Sequence, residues 1–184
     1  MDRHHLLTDE ACIERVKAGD TEAFGLLVGR YNDRLIRMVM PLVKEKADAE
    51  DLVQEVMIKA FEHLGSFHGQ CAFSTWLYRI AYNRAVSDMR RKSKYTEIPL
   101  EEGVISDEAD DEEQESRQTP EALQWALSLL DPGDRTLLSL YYGEGKSVAE
   151  LCVITDQSAS NIKIRLFRLR NKLKKLMSSY EERQ

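Results

Sequence analysis

This 184-residue chain has few cysteines and no long apolar run. Its three cysteines, Cys12, Cys71 and Cys152, lie 59 and 81 positions apart, which excludes a disulfide framework and a Cys-x-x-Cys pair. No apolar run approaches the roughly 20 residues that a membrane-spanning helix needs. The opening residues, MDRHHLLTDE, lack the apolar core of a signal peptide. We therefore expect a reduced, cytoplasmic protein with no membrane insertion of its own.

Motifs for catalysis and metal binding are also missing. His63, His68 and Cys71 lie close together in sequence, but no Glu-x-x-His pair accompanies them, and no zinc-finger spacing occurs. The chain has neither a glycine-rich phosphate loop nor the Gly-x-Ser-x-Gly turn of hydrolases. We therefore expect no catalytic residues, no metal and no cofactor.

Negative charge is concentrated in one segment. The net charge of the chain is −6, but residues 1–94 carry 15 basic and 14 acidic groups, a net of +1. Residues 95–121 carry one basic and 11 acidic groups, and residues 122–184 carry ten and seven. The acidic stretch 101–118 has no aromatic residue and cannot bury enough surface to offset its ordering entropy. It predicts a flexible linker. This linker is a simple tether, an arm that competes with DNA for the basic helices, or a contact for a regulator.

The rest of the chain predicts an all-α fold with two small helical domains. Apolar residues recur at helical spacing through residues 9–18, 24–42, 48–64 and 74–85. Thr119-Pro120 and Asp131-Pro132 each place a capping residue before a proline, and Ser147 with Glu150 forms a capping box. The predicted domains are residues 1–94, a helical bundle, and residues 120–184, a helix-turn-helix, joined by the acidic linker 95–119.

The final predicted helix is strongly basic. Residues 157–177 hold seven Lys and Arg residues and no acidic one, and they follow a short helix and a tight turn. This order is typical of a helix-turn-helix, whose second helix enters the major groove of DNA. If four cations contact phosphates, log affinity falls with log salt at a slope near −3.6. The candidate DNA contacts are Ser158, Ser160, Asn161, Lys163, Arg165 and Arg168.

A second basic helix follows an aromatic-rich loop. Residues 79–94 hold six basic groups and one acidic group, and aromatic side chains precede them. Aromatic rings beside a basic helix suit the stacking of unpaired bases together with phosphate binding. Trp76, at helical spacing from Ile80, is better explained as part of the core. Phe67 and His68, in a glycine-flanked loop, are the candidates for contact with a base.

The helix predicted from Asp48 is acidic and amphipathic. Polar groups from Asp51, Gln54 and Glu55 lie beside apolar residues that could be exposed, such as Met57. Such a mixture suits a protein partner rather than DNA. An ordinary bundle surface explains the pattern equally well.

Three sequence blocks give the chain a family resemblance. The blocks are DAEDLVQEVMIKAF at 48–61, FSTWLYRIAYNRAVSDMRR at 73–91 and IKIRLFRLRNKL at 162–173. In this order and separation the chain resembles bacterial RNA polymerase sigma factors of the extracytoplasmic-function (ECF) type. The resemblance covers nearly the whole chain and favours a protein partner for the acidic helix.

The resemblance implies a non-enzymatic initiation factor with three contact surfaces. The acidic helix is expected to bind core RNA polymerase through Asp51, Leu52, Gln54 and Glu55. The third helix and its loop, 66–72, are expected to melt and read the minus-ten element of promoter DNA, and the helix-turn-helix to read the minus-thirty-five element as duplex. The implied minus-ten contacts on the helix are Arg79, Asn83, Arg90 and Arg91.

Some residues depart from the family pattern, and other functions stay open. Ser160-Asn161 replaces a common Gly-Thr, and Ile164 replaces a frequent Ser, which changes the surface expected to read the minus-thirty-five element. The resemblance also implies an anti-sigma factor as a partner. The alternatives are a helix-turn-helix regulator that acts without joining polymerase and, more remotely, a metal-dependent hydrolase of nucleic acid.

Overall fold

The computed structural model describes residues 7–43, 45–94 and 119–182. These ranges form α-helices with short 3₁₀ and π-helical turns and contain no strand, so the predicted all-α fold is confirmed. The predicted linker lies outside the described residues except for Thr119, which caps α5. The helices are α1 (Asp9–Lys17), α2 (Ala23–Val39), α3 (Lys46–His63), α4 (Phe73–Lys94), α5 (Pro120–Ser128), α6 (Pro132–Leu138), α7 (Val148–Thr155) and α8 (Ala159–Glu181).

The first module, α1 to α4, is a bundle built around the apolar faces that the periodicity predicts. Thr8 accepts a hydrogen bond from the Ala11 amide at the start of α1, and Gly19 ends the segment with a φ of 101°. Pro41 lies in a 3₁₀ turn, Met40–Leu42, directly after α2, because proline cannot continue the helix. The core side chains of α2, α3 and α4 meet here; Leu35, Val53 and Leu77 are all fully buried.

In the second module, α5 to α8, the helices begin at the capping residues that the sequence predicts. Both halves of the capping box are formed: Ser147 accepts from the Glu150 amide, and the Glu150 carboxylate accepts from the Ser147 amide. Asp156 takes a left-handed conformation, φ 57°, at the tight turn between α7 and α8. A π-helical turn, Ser139–Gly143, links α6 to the capping box.

The two modules pack against each other. Helix α7 lies on α4, and α6 lies on the 3₁₀ turn Met40–Leu42. One buried apolar cluster runs through both modules and includes Tyr78 from the first and Leu151 and Ile154 from the second. A smaller cluster holds α5 against the C-terminal part of α8, where Ala122, Ala126 and Met177 are buried.

Candidate nucleic-acid and protein interfaces

Helix α8 begins with a capped, rigid first turn. The Ser158 hydroxyl accepts a hydrogen bond from the Asn161 amide at 3.2 Å, so its oxygen already serves the helix. Ser160, Asn161, Lys163 and Arg168 are exposed, as a surface that reads DNA requires. The structure therefore places five of the six predicted residues, Ser158 included, on the open side of the helix-turn-helix.

Arg165 differs from the other predicted contacts on α8. Its Nε donates to Asp134 Oδ1 at 2.7 Å, and the two side chains are 32% and 17% exposed. At 100° per residue, position 165 lies at the edge of the buried stripe rather than at the centre of the exposed face. Arg165 is therefore bound to α6 within the module.

Two apolar residues occupy the centre of the exposed face of α8. Ile164 and Phe167 are 50% and 52% exposed, beside Ser160 and Arg168 on the helical wheel. The predicted contacts did not include them, although both fall outside the buried stripe that Ile162, Leu166 and Leu169 define. A helical wheel would have found them. Apolar side chains on a helix in the major groove suit the C5-methyl group of thymine.

Helix α4 carries a second exposed basic face. Arg79, Asn83 and Arg90 are exposed and fall within about 40° of one another around the helix. Arg91 is exposed too but lies about 100° further round the helix from Arg90, and its guanidinium bonds Asp88 at 2.9 Å. The first three residues thus form one continuous surface, and Arg91 borders it.

The loop before α4 has its aromatic side chain turned inward. The Phe67 ring is half-buried and lies 5.7 Å from that of Phe73 and 5.2 Å from that of Trp76, measured between centroids. The Lys17 ammonium donates to the Phe67 carbonyl at 2.7 Å and holds the loop on α1. Trp76 packs on the core, as predicted. His68 is exposed, so it is the loop residue more open to a base.

The acidic face of α3 contains fewer of the predicted polymerase-binding residues than expected. Asp51, Gln54 and Glu55 are exposed, but Leu52 is only 4% exposed and packs in the core. Met57, expected at the surface, is buried, and Ile58 is 53% exposed instead. The reason is the helical angle, since Ile58 shares the face of Asp51 and position 57 points toward the bundle.

A groove runs along this acidic face between α2 and α3. It measures about 770 Å³ and is lined by Ile36 from α2 and by Asp51 and Gln54 from α3. Glu55 lies outside this groove and bonds the Arg84 guanidinium on α4 at 2.9 Å. The lining of the groove combines apolar side chains with acidic, amide and basic groups, the basic ones being Arg37 and Lys46, and such a mixture suits a helical protein partner.

Comparison with known proteins identifies the family. Family models described as Sigma-70 region 2 and Sigma-70, region 4 match residues 27–95 and 121–173. The ECF RNA polymerase sigma-E factor of Haemophilus influenzae is 33% identical over 189 residues, covering 93% of this chain and 98% of that protein. The sigma-E factor of Escherichia coli is 35% identical over 178 residues, covering 89% and 91%. The chain is an ECF-type member of the sigma-70 family.

Solved structures agree with this assignment. A sigma factor RpoE from Bartonella quintana, solved in complex with the anti-sigma factor NepR, has a TM-score of 0.64 and 25% identity, covering 84% of this chain and 96% of that one. CnrH, solved with the cytosolic domain of CnrY, has a TM-score of 0.67 at 23% identity, covering 93% and 97%, and shares the fold. The Sigma-70 region 2 match falls on the first module from α2 onward, and the region 4 match falls on the second module as far as residue 173.

The family establishes what the protein does. It is a sigma factor that binds core RNA polymerase and directs promoter recognition in transcription initiation, so the predicted family, function, polymerase partner and promoter DNA are confirmed. Among the described residues, no helix is long and apolar enough to cross a membrane. No group of three or more His, Cys, Asp or Glu side chains there could hold a metal ion.

Proposed function

We propose that three separate surfaces divide the work of this sigma factor. Region two, residues 1–94, binds core polymerase through the acidic face of α3 and opens the minus-ten element through α4 and its loop. Region four, residues 120–184, reads the minus-thirty-five element through α8. The protein acts in the cytoplasm by binding alone, without catalysing a reaction.

The polymerase surface rests on the exposure of Asp51 and Gln54 at the groove between α2 and α3. Glu55 contributes less directly because its carboxylate also holds Arg84. Leu52 supports the face from inside the core and does not itself reach a partner. Three acidic side chains line the groove against two basic ones, Arg37 and Lys46, so the groove matches a helix that carries basic and apolar residues.

The minus-ten surface rests on the shared face of Arg79, Asn83 and Arg90. Cations on this face hold phosphates while the amide of Asn83 reaches base edges. His68 stacks on or bonds an unpaired base, and Phe67 keeps the loop in place through its contacts with Phe73 and Trp76. Opening the duplex costs roughly 1.4 kcal/mol per stacked step, which these contacts offset.

An anti-sigma factor is the further partner that the comparisons favour. The RpoE structure from Bartonella quintana contains one, and the similarity to RpoE covers 84% of the present chain. A protein that covers the polymerase-binding groove or holds the two regions together would prevent initiation.

The decisive experiment tests the polymerase surface. Asp51→Ala combined with Gln54→Ala is expected to weaken binding to core polymerase at least about tenfold, as loss of central interface residues does. Glu14→Ala on α1 removes an exposed carboxylate elsewhere and serves as the matched control. Binding is measured by fluorescence anisotropy, and run-off transcription on genomic fragments reports initiation. A wild-type protein that binds promoter duplex alone and yields no transcripts, with core polymerase active under a known sigma factor, would favour an independent regulator.

A further inference from the structure

The loop before α4, residues 66–72, is held by a side chain from a distant helix. Lys17, the last residue of α1, donates from its ammonium to the Phe67 carbonyl at 2.7 Å, across 50 positions of sequence. Arg15, the other cation in the last turn of α1, instead bonds the Asp20 carboxylate at 2.6 Å. The two cations therefore have different partners, and Lys17 is the one that reaches the loop.

The hydrogen bond from Lys17 fixes a peptide plane. The Phe67 carbonyl belongs to the peptide group that joins Phe67 to His68, and the six atoms of that group are coplanar. Holding this carbonyl on α1 therefore sets the direction in which the chain enters His68. Gly69 follows with a φ of 70°, a left-handed conformation that turns the chain directly after His68. The exposed His68 is thus placed by a defined backbone on both sides.

Aromatic packing holds the side chain of Phe67. Its ring contacts Phe73 and Trp76, and Phe73 in turn meets Tyr31 of α2, with ring centroids 5.8 Å apart. The Tyr31 hydroxyl donates to the Asp9 carboxylate in the first turn of α1. Helix α1 is therefore bonded to α2 at its start and to the loop at its end, which makes it a firm support for residue 67.

The fold itself does not depend on Lys17. Cys12 and Ile13 are buried and pack α1 on the bundle, whereas Lys17 is exposed. An exposed cation contributes little to the free energy of unfolding, because water competes for its hydrogen bonds. Residues 9–17 also precede the Sigma-70 region 2 match, which begins at residue 27. The contact thus has its main effect on the position of the loop.

We propose that Lys17 is a positioning residue for base capture at the minus-ten element. By holding the Phe67 carbonyl it fixes His68 where an unpaired base stacks on or bonds the imidazole, while Lys17 itself touches no base. A group that is ordered before binding does not have to be ordered at binding, so the contact increases affinity. The inference rests on the minus-ten role proposed for the loop.

The first test measures the loop without DNA. Lys17→Met removes the donor and keeps most of the length of the side chain, whereas Lys17→Arg keeps a cationic donor. Arg15→Met is the matched control, because it removes one cation from the same turn of α1 and leaves the loop contact intact. Hydrogen–deuterium exchange of residues 66–72 is expected to be at least about threefold faster in Lys17→Met and unchanged in the other two variants. Circular dichroism checks that all three keep the wild-type helical content.

The second test measures base capture by the full chain bound to core polymerase. The probes are labelled single strands of the minus-ten element, taken from promoters mapped by run-off transcription. An abasic site moved along each strand identifies the base whose removal weakens wild-type binding most. On the intact strand Lys17→Met is expected to bind about fivefold more weakly, as the loss of one hydrogen bond of average strength does. On the abasic strand it is expected to equal wild type, since no base remains for His68. His68→Ala is expected to behave in the same way.

Salt dependence separates positioning from a direct phosphate contact. A phosphate contact by Lys17 would persist on the abasic strand, and its loss would reduce the slope of log affinity against log salt by about 0.7. Positioning leaves that slope unchanged.

Each outcome decides the inference. Faster loop exchange, with a loss of affinity confined to the intact strand, would support it. A loss that persists on the abasic strand, an equal loss in Arg15→Met, or unchanged exchange or binding in Lys17→Met would overturn it. Wild-type protein that loses no affinity at any abasic position would overturn the proposed role of the loop itself, and this appears before any variant is compared.

Discussion

Arg165 and Arg168 lie three residues apart on the DNA-reading helix, yet we expect their substitution to alanine to affect DNA binding differently. Arg168 is exposed, whereas the Arg165 guanidinium is bound to Asp134 at 2.7 Å. Each phosphate contact contributes about 0.9 to the slope of log affinity against log salt. Arg168→Ala is therefore expected to reduce the slope by about 0.9, and Arg165→Ala to leave it unchanged.

The size of the effect follows from the expected number of contacts. With four phosphate contacts the slope is about −3.6, so affinity falls roughly 150-fold between 50 mM and 200 mM salt. With three contacts the slope is about −2.7, and the same change of salt costs only roughly 40-fold. Arg165→Ala instead leaves the half-buried Asp134 carboxylate without its partner and is expected to lower the free energy of unfolding by about 1 kcal/mol.

The assay is fluorescence anisotropy of an end-labelled duplex titrated with the full chain at several salt concentrations. Lys59→Ala, which removes an exposed cation from α3, controls for the loss of one positive charge. Urea denaturation of the same proteins gives the free energy of unfolding of each variant. An equal loss of slope in Arg165→Ala and Arg168→Ala, or an unchanged slope in Arg168→Ala, would refute the assignment of these two side chains.

Three more predictions concern α8 and the contacts of Glu150. Replacing thymine by uracil in the minus-thirty-five duplex is expected to weaken binding of the wild-type protein, because only thymine carries the C5-methyl group. Ile164→Ser is expected to bind the thymine and uracil duplexes equally well. An equal loss of affinity on uracil in both proteins would contradict this contact. Burial alone would raise the pKa of Glu150, but hydrogen bonds from Ser147, Lys146 and Thr75 outweigh it and lower the pKa to about 2. The stability it contributes is present above pH ~4.5 and lost as the pH falls toward 2, so Glu150→Gln is expected to remove about 1–2 kcal/mol of acid dependence from urea melts, and identical profiles would refute this. Thr75→Val is expected to cost about 1–3 kcal/mol in the same melts because the Glu150 carboxylate loses a buried donor, while Thr75→Ser keeps the hydroxyl and most of the stability; equal losses would count against the hydrogen bond.

Local signals in the sequence predicted the helices well. The Thr119-Pro120 pair, the capping box from Ser147 to Glu150 and the N-cap at Ser158 each act within four residues, so their physical effect does not depend on the rest of the fold. Pro41 ends α2 for the same local reason. Spacing of apolar residues then fixed which face of each helix enters the core.

The contacts of individual site residues were harder to predict because their partners lie far away in the sequence. The partner of Arg165 is Asp134, 31 residues earlier, and the partner of Lys17 is the Phe67 carbonyl, 50 residues later. Phe67 turns toward Phe73 and Trp76 for a similar reason, because the loop folds back on the start of α4. Periodicity gives the direction of a side chain, but only the tertiary packing decides what that side chain meets.

Pairing of charges explains how an acidic protein can present two basic surfaces. Arg34, Arg84 and Arg165 each bond a carboxylate within 3 Å and hold the fold together. Arg79 and Arg168 are exposed on faces that lack an acidic side chain beside them on the helical wheel. Much of the other negative charge of the chain lies in residues 95–121, which belong to neither α4 nor α8. Net charge therefore says little about DNA binding here, since the field that a phosphate meets is set by the exposed cations of α4 and α8.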